Sequence, residues 1–376
     1  MKFIAMVLLV IAPAFAQKWS IQYFYDQDRD NLTFEDLAFP SAERGIAIGT
    51  IGDELGRGKP RYVVLTTADG GAHWSIQNLT EHARSIFFVN DSTGWMVTDE
   101  AFWFTQESGR SWKRIAPQIK PDRKLGQVEG GLITHVWFLD DKHGFAIGMQ
   151  KSVYESKDGG LTWKPVVEAA QPVGNPSFTA YTDIYFDGPK LGLIFGSSIP
   201  RRRDDPVLPE WMEPERATRR RPAPTLTILL KTSDGGATWK SDTAPLLGNV
   251  SRVCLAGTLG ISVHSYGMSF DVPSEVYRMD EKEGTSVTVY KDKTRIMDCA
   301  LFRGPVAFIA GVEPPGKLNT IPIPGKIHVL TTTNWTDWTD MNVDYKANAR
   351  TVMLAGTDAQ HLWLATDTGM ILHLAP

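Results

Sequence analysis

The side chains with the greatest chemical potential in this chain are crowded into one stretch. Between Pro200 and Pro222 stand Arg201, Arg202, Arg203, Arg216, Arg219, Arg220 and Arg221, with Trp211 among them. Guanidinium groups hold carboxylates and phosphates bidentately, and Arg and Trp are enriched at interface anchors. Acidic residues such as Asp204, Asp205 and Glu213 are interspersed, so this is no simple basic patch. Its bland reading is a solvated, Pro-broken loop of mixed charge. A second candidate set is a row of aspartates in a recurring phrase: TADGGAHW from Thr67 to Trp74, SKDGGLTW from Ser156 to Trp163, and TSDGGATW from Thr232 to Trp239. Weaker copies, TQESGRSW and TTTNWTDW, run from Thr105 to Trp112 and from Thr331 to Trp338. Carboxylates in pairs hydrolyse glycosides, but a phrase recurring every few dozen residues belongs first to a repeated scaffold. The eight histidines (His73, His82, His135, His143, His264, His328, His361 and His373) show no metal-ligand spacing. There is no phosphate loop, nucleophile elbow or CxxC, so no cofactor or metal is expected.

The elements that would carry these residues follow from the phrase itself. Asp69, Asp158 and Asp234 can accept hydrogen bonds from backbone N–H groups two residues on, while the Gly pairs, including Gly71, Gly160 and Gly236, supply positive φ. Thr67, Ser156 and Thr232 can tie each turn to its own strand. Trp74, Trp112, Trp163 and Trp239 open the outgoing strand with a ring to bury against the next sheet. A second phrase precedes each turn: an apolar strand, a polar turn, a Gly and another apolar strand. The aromatic-to-Gly spacing repeats from Phe39 to Gly45, Phe88 to Gly94, Phe138 to Gly144 and Phe186 to Gly192. With looser copies at Cys254, Cys299 and Leu354 there are seven units. Each has two inner strands, a third, and a hairpin into a fourth. Radially repeated four-stranded sheets form a β-propeller. The fold expected is therefore all-β, a seven-bladed propeller of four-stranded antiparallel blades. Lys18-Trp19-Ser20-Ile21 reads like an outgoing fourth strand, and the last unit stops after its third, so the N-terminal strand is expected to close the ring.

The phrase resembles the Asp-box, or BNR, repeat of many propellers. Over residues 19–376 the pattern GxAxG…TxDGGxTW is similar to the photosystem II stability/assembly factor-like propellers, strongly in the first four units and weakly in the rest. That resemblance implies a structural role for the aspartates, away from the active face, and a fold whose photosynthetic members bind a client protein. Sialidases are also Asp-box propellers, so a divergent glycoside hydrolase or a lyase on the same face is the alternative. Their Phe/Tyr-Arg-Ile/Leu-Pro motif has no counterpart before the first phrase, and Phe302-Arg303-Gly304-Pro305 is only a partial echo.

Residues 1–16 read as a signal peptide: Lys2, an apolar run from Phe3 to Ile11, and a cleavage site at Ala14-Phe15-Ala16. Residues 17–376 are then one exported propeller, secreted or periplasmic, with an insertion at about 197–224. No later run is long enough to span a membrane. The chain has 39 basic and 43 acidic residues, a balance that disfavours nucleic acid. The expectation is a monomer that recognises a protein partner through long loops joining second and third strands, with Arg201, Arg202, Arg203, Trp211, Arg219, Arg220 and Arg221 as binding candidates. Cys254 and Cys299, the chain's two cysteines, fall on the innermost strands of neighbouring units with a one-residue offset. A disulfide across the gap and two buried thiols both stand as readings.

Overall fold

The computed structural model describes residues 17–27, 30–53, 58–116, 118–119, 133–199, 225–266, 270–280, 282–314 and 323–375. They form seven sheets whose four main strands are antiparallel, with a short parallel strand added at Asn342–Val343 and at Gln118–Ile119. From the axis outward, blade one is Asp30–Ala38, Gly45–Asp53, Arg61–Thr67 and Ser75–Leu79. Blade two is Ala83–Phe88, Gly94–Thr98, Phe102–Thr105 and Lys113–Ile115. Blade three runs from Ile133–Phe138 through Gly144–Gly148 and Val153–Ser156 to Thr162–Pro165. Blade four comprises Thr179–Asp187, Leu191–Ser198, Thr225–Thr232 and Lys240–Leu246. Blade five has Asn249–Ala256, Leu259–Ser265, Ser274–Asp280 and Thr285–Asp292. Blade six has Ile296–Arg303, Val306–Val312, Gly325–Thr332 and the short Thr339–Asp340. Blade seven has Val352–Gly356, Leu362–Thr366 and Met370–Ala375, and its outer strand is Lys18–Phe24. That strand runs antiparallel to the last one, from the pair Lys18 and Ala375 to the pair Phe24 and Met370. The ring is closed as the sequence implies: a seven-bladed propeller.

Seven apolar clusters fill the seven gaps between blades, so the core is a set of wedges and not a single centre. Each hairpin Trp enters the wedge shared with the preceding blade: Trp74 beside Phe39 and Tyr23, Trp163 beside Phe102 and Phe138, Trp239 beside Phe145 and Phe186. The regular aromatic-to-Gly spacing has a steric cause. A Cβ on Gly45, Gly144 or Gly192 would stand 2.4, 2.4 and 2.3 Å from the ring of Phe39, Phe138 and Phe186. The ring closing the inner strand lies over the residue opening the second, and only glycine leaves room for it.

The wedge between blades four and five is the smallest. Its buried members are Leu193, Phe195, Val250, Val253 and Leu255, with no hairpin Trp. Cys254 and Cys299 are buried free thiols, which decides against the disulfide. Cys254 belongs to the wedge between blades five and six, and Cys299 to the wedge between six and seven. Cys299 alternates with Ala300 and Phe302, which face the wedge between blades five and six, so its sulfur lies on the far face of its own sheet. Each sulfur instead approaches a carbonyl, Cys254 that of Ala300 at 3.1 Å and Cys299 that of Ala310 at 3.8 Å. Burial pushes the Cys254 thiol up to about 12.

Candidate functional site

The two ends of the ring differ in kind. One end carries the DGG hairpins, whose polar groups are consumed by their own turns. Thr67 Oγ1 donates to Asp69 Oδ1 at 2.8 Å and accepts from the Gly71 N–H at 2.9 Å. Asp69 Oδ1 accepts from the His73 N–H at 2.9 Å, four residues on and not two as the turn chemistry first suggests. The pattern repeats from Ser156 and Asp158 to Thr162, and from Thr232 and Asp234 to Thr238. Both glycines of each full copy have positive φ, such as 69° and 94° for Gly70 and Gly71. These aspartates have no spare geometry for acid–base work. Arg303 sits at this end too, donating to the carbonyls of Gly356 and Phe302 at 2.7 and 2.6 Å.

A second set of aspartates surrounds the axis, where each innermost strand would otherwise leave a free edge. Asp36 Oδ2 accepts from the Ile86 N–H of blade two at 2.9 Å. Asp183 Oδ2 accepts from the Val253 N–H of blade five at 2.8 Å, and Asp298 Oδ2 from the Val352 N–H of blade seven at 3.1 Å. Asp36 and Asp183 each follow a bulge in the innermost strand, and Asp298 lies within one. In blade five the position after the bulge is Arg252, 3.7 Å from Asp183 Oδ1. Desolvation raises Asp36 to about 6 and Asp298 to about 7, and lowers His135 to about 4. Asp183 is also raised by desolvation, with Arg252 opposing. These groups staple blades together.

The other end holds the connections between second and third strands and between successive blades. Arg201, Arg202, Arg203, Trp211, Arg219, Arg220 and Arg221 lie outside the described residues. What the structure does bring together was not singled out by any motif. A cavity of about 770 Å³ opens over the thin wedge between blades four and five. Pro245, Leu246 and Leu247 form one wall, and Phe270 and Val272 form part of another. His264, Tyr266, Glu275 and Tyr277 line the blade-five side. They share one face of their sheet because residues alternate along a strand, and Val263 and Val276 between them point into the opposite wedge.

Both phenols meet the one carboxylate. Tyr266 donates to Glu275 Oε2 at 3.1 Å, Tyr277 donates to the same oxygen more closely, and the two hydroxyls are 3.1 Å apart. His264 packs against Tyr277, with ring centroids 4.5 Å apart and planes tilted by 41°, and meets Ser262 Oγ through Nε2 at 3.1 Å. Burial lowers His264 to about 4 and raises both tyrosines, so the ring is neutral and the phenols are protonated at neutral pH. Gly248 makes the near wall possible: its φ is 78°, and a Cβ there would stand 2.1 Å from the Ser265 carbonyl oxygen. The alternation HSY in one strand and SEVY in the next was the available signal, but it reads as an ordinary solvent-facing pattern until the neighbouring blade is placed.

Beside the cavity the same end of blades three to five displays apolar side chains. Met149, Val167, Val173, Phe178, Ile199 and Leu247 are all exposed, Val173 at 79 %. Met149 bridges to Ala180, and the Ile199 N–H bonds the Phe178 carbonyl at 2.9 Å, so several of them are neighbours. Lys151 braces this strip from below. It is buried, and its Nζ donates to the carbonyls of Ala170 and Pro172 at 3.2 and 2.6 Å. Among the described residues no three His, Cys, Asp or Glu converge as a metal site, and no helix is long and apolar enough to cross a membrane.

No protein-family model and no curated protein matches this chain. Solved structures do match. YCF48 from Cyanidioschyzon merolae superposes with a TM-score of 0.59 at 14 % identity, over 95 % of this chain and 98 % of that one. A structure described as YCF48 bound to D1 peptide gives 0.58 at 14 % identity, over 95 % of this chain and 100 % of that one. At this identity the likeness is one of fold: the chain is a seven-bladed propeller similar to these YCF48 structures.

Proposed function

We propose that this is an exported, non-enzymatic propeller that binds an extended segment of a partner protein across the loop end of blades three to five. The observation that carries the reading is the strip of exposed apolar side chains from Met149 to Leu247 running up to a polar-floored cavity. A monomeric protein seldom leaves such a patch to water without use. The peptide described in complex with a propeller of the same fold supports the same mode. Export rests on the pattern of residues 1–16, and N-terminal sequencing of the mature protein should begin at Gln17.

The test uses charge reversal on two ends of one molecule. Val173→Glu with Phe178→Glu should abolish capture of the partner from an extract of the producing organism. Leu161→Glu, exposed at the hairpin end, should leave capture intact. Both variants should melt like the parent, since neither site is buried. Hydrogen exchange of the complex should show protection around residues 166–178 and 245–248. Equal capture by both variants, or protection at the hairpin end instead, overturns the reading.

A further inference from the structure

We infer that the cavity between blades four and five receives a cationic side chain, the ammonium of lysine or the guanidinium of arginine, with Glu275 as its counter-charge. The inference rests on the partner-binding reading above and specifies what the partner must present at one point.

The argument begins from hydrogen-bond accounting. Tyr266 and Tyr277 both give their protons to Glu275 Oε2, so what remains on those oxygens is acceptor capacity. Among the described residues no donor reaches Glu275 Oε1 and no Lys or Arg lines the cavity. The cavity therefore offers the charge of Glu275 and the acceptor oxygens of both phenols, with the Ser286 hydroxyl and one ring N–H of His264 as its donors. Asp271 at the rim is almost fully exposed and already faces Lys293 Nζ at 3.8 Å, so the unmatched charge of the cavity is that of Glu275. A carboxylate or phosphate would meet the like charge of Glu275 there, with no Lys or Arg in the lining to offset it. A neutral hydroxyl would satisfy one site and leave the charge unmet. A group with several N–H donors and a positive charge satisfies both requirements, and charge-assisted bonds are about twice as strong as neutral ones.

The walls select the same chemistry. The rings of Tyr266 and Phe270 stand 5.8 Å apart, and Tyr277 with His264 forms a further aromatic surface. Aromatic faces attract cations within about 6 Å of the centroid. Leu246, Leu247 and Val272 supply apolar surface for the methylene stem of a long side chain, whose apolar part prefers such contact while its charged end does not. The two phenols also pre-set the carboxylate, since it is already held in place before a ligand arrives.

The test uses small probes on the intact protein. Methyl-labelled Leu and Val signals are followed while n-butylammonium or n-butylguanidinium is added, with butanoate and n-butanol as comparisons. Saturable shifts of Leu247 and Val272 are expected with the two cations and not with butanoate. Glu275→Gln keeps the shape and should weaken cation binding by about tenfold, the order expected when a charged hydrogen-bond partner is made neutral. Tyr277→Phe should weaken it less. Equal response to butanoate, an unchanged affinity in Glu275→Gln, or no saturable shift with either cation at any attainable concentration overturns the inference. If Glu275→Gln does not fold, the cation-against-butanoate comparison on the parent protein still decides. Partner capture by the apolar strip is read separately, so its loss and the failure of this inference are distinguishable.

Discussion

The hairpin aspartates and the axial aspartates are the same side chain in opposite electrostatic settings. Asp69 and Asp234 are lowered to about 2, the first mainly by the His73 N–H and the second mainly by the Thr238 hydroxyl. Asp36 and Asp298 are raised to about 6 and about 7 by desolvation. At the hairpins the charge stabilises the fold: those carboxylates are ionised and hydrogen-bonded within one blade, before any other blade is in place. At the axis the hydrogen bond stabilises, but the charge works against it, because water has been partly removed. The two sets also differ in what they join. A hairpin aspartate organises a turn, and an axial one joins two blades that are distant in sequence.

The largest way to test this division is to remove a joint between blades outright. Deleting residues 17–25 takes away the outer strand of blade seven and the fully buried Trp19, and urea unfolding should show a loss of several kcal/mol. Asp183→Ala should come next, at about 1–3 kcal/mol, because it leaves the buried Val253 N–H without its partner, while Arg252, 3.7 Å away and over a third exposed, keeps access to water. Removing one hairpin carboxylate, Asp158→Ala, should lower the thermal midpoint by only a few degrees, as two other full copies remain. A larger effect for Asp158→Ala than for Asp183→Ala would reverse the ranking of the two joints.

The smallest effect has the sharpest sign. A carboxyl raised from its ordinary value holds a proton in the folded state that the unfolded chain has released. Its contribution is therefore fully present below about pH 4 and is lost as pH rises through the folded value, about 7 for Asp298. Asp298→Asn keeps an oxygen for the Val352 N–H and cannot ionise. The variant should match the parent near pH 4 and exceed it at pH 8 by about 1 kcal/mol, a small part of the full linkage value because the axis is open to water. The hairpin set should show the reverse dependence, with stability lost only as pH falls through about 2. A pH-independent difference between Asp298→Asn and the parent would remove the electrostatic half of the comparison.

Blade number and the hairpin turns were legible in the sequence because each is local and repeated, and ring closure followed from that repeat, since Lys18–Phe24 reads as the fourth strand the last unit lacks. Gly45 lies six residues from the ring that needs its missing Cβ, and Trp74 lies five from Asp69. The axial staples were not legible. Asp36 and Ile86 are fifty residues apart, and Asp183 and Val253 seventy, and the position that is Asp in blades one and four is Arg252 in blade five and His135 in blade three. The cysteines kept two readings because the glycines they were counted from are not equivalent: Gly260 lies in its second strand opposite Leu255, whereas Gly304 lies in the turn after Arg303 with a φ of 60°. The cavity was hidden differently. His264, Tyr266, Glu275 and Tyr277 alternate with buried valines just as a half-exposed strand would, and only the sparse wedge beside them makes that polar face an enclosure.

The pairing of Lys18–Phe24 with Met370–Ala375 also orders events in time. Six blades are built from consecutive hairpins and can assemble from neighbouring chain, whereas the seventh requires the two most distant described segments to meet. Loop-closure entropy and contact order both place that meeting late. During synthesis the first strand to emerge must therefore wait, unpaired and with Trp19 uncovered, until the last one is available. A refolding protein should accordingly pass through an open arc with six formed sheets, and the rate at which that arc becomes a ring should respond to changes in Trp19 more than to changes in any hairpin.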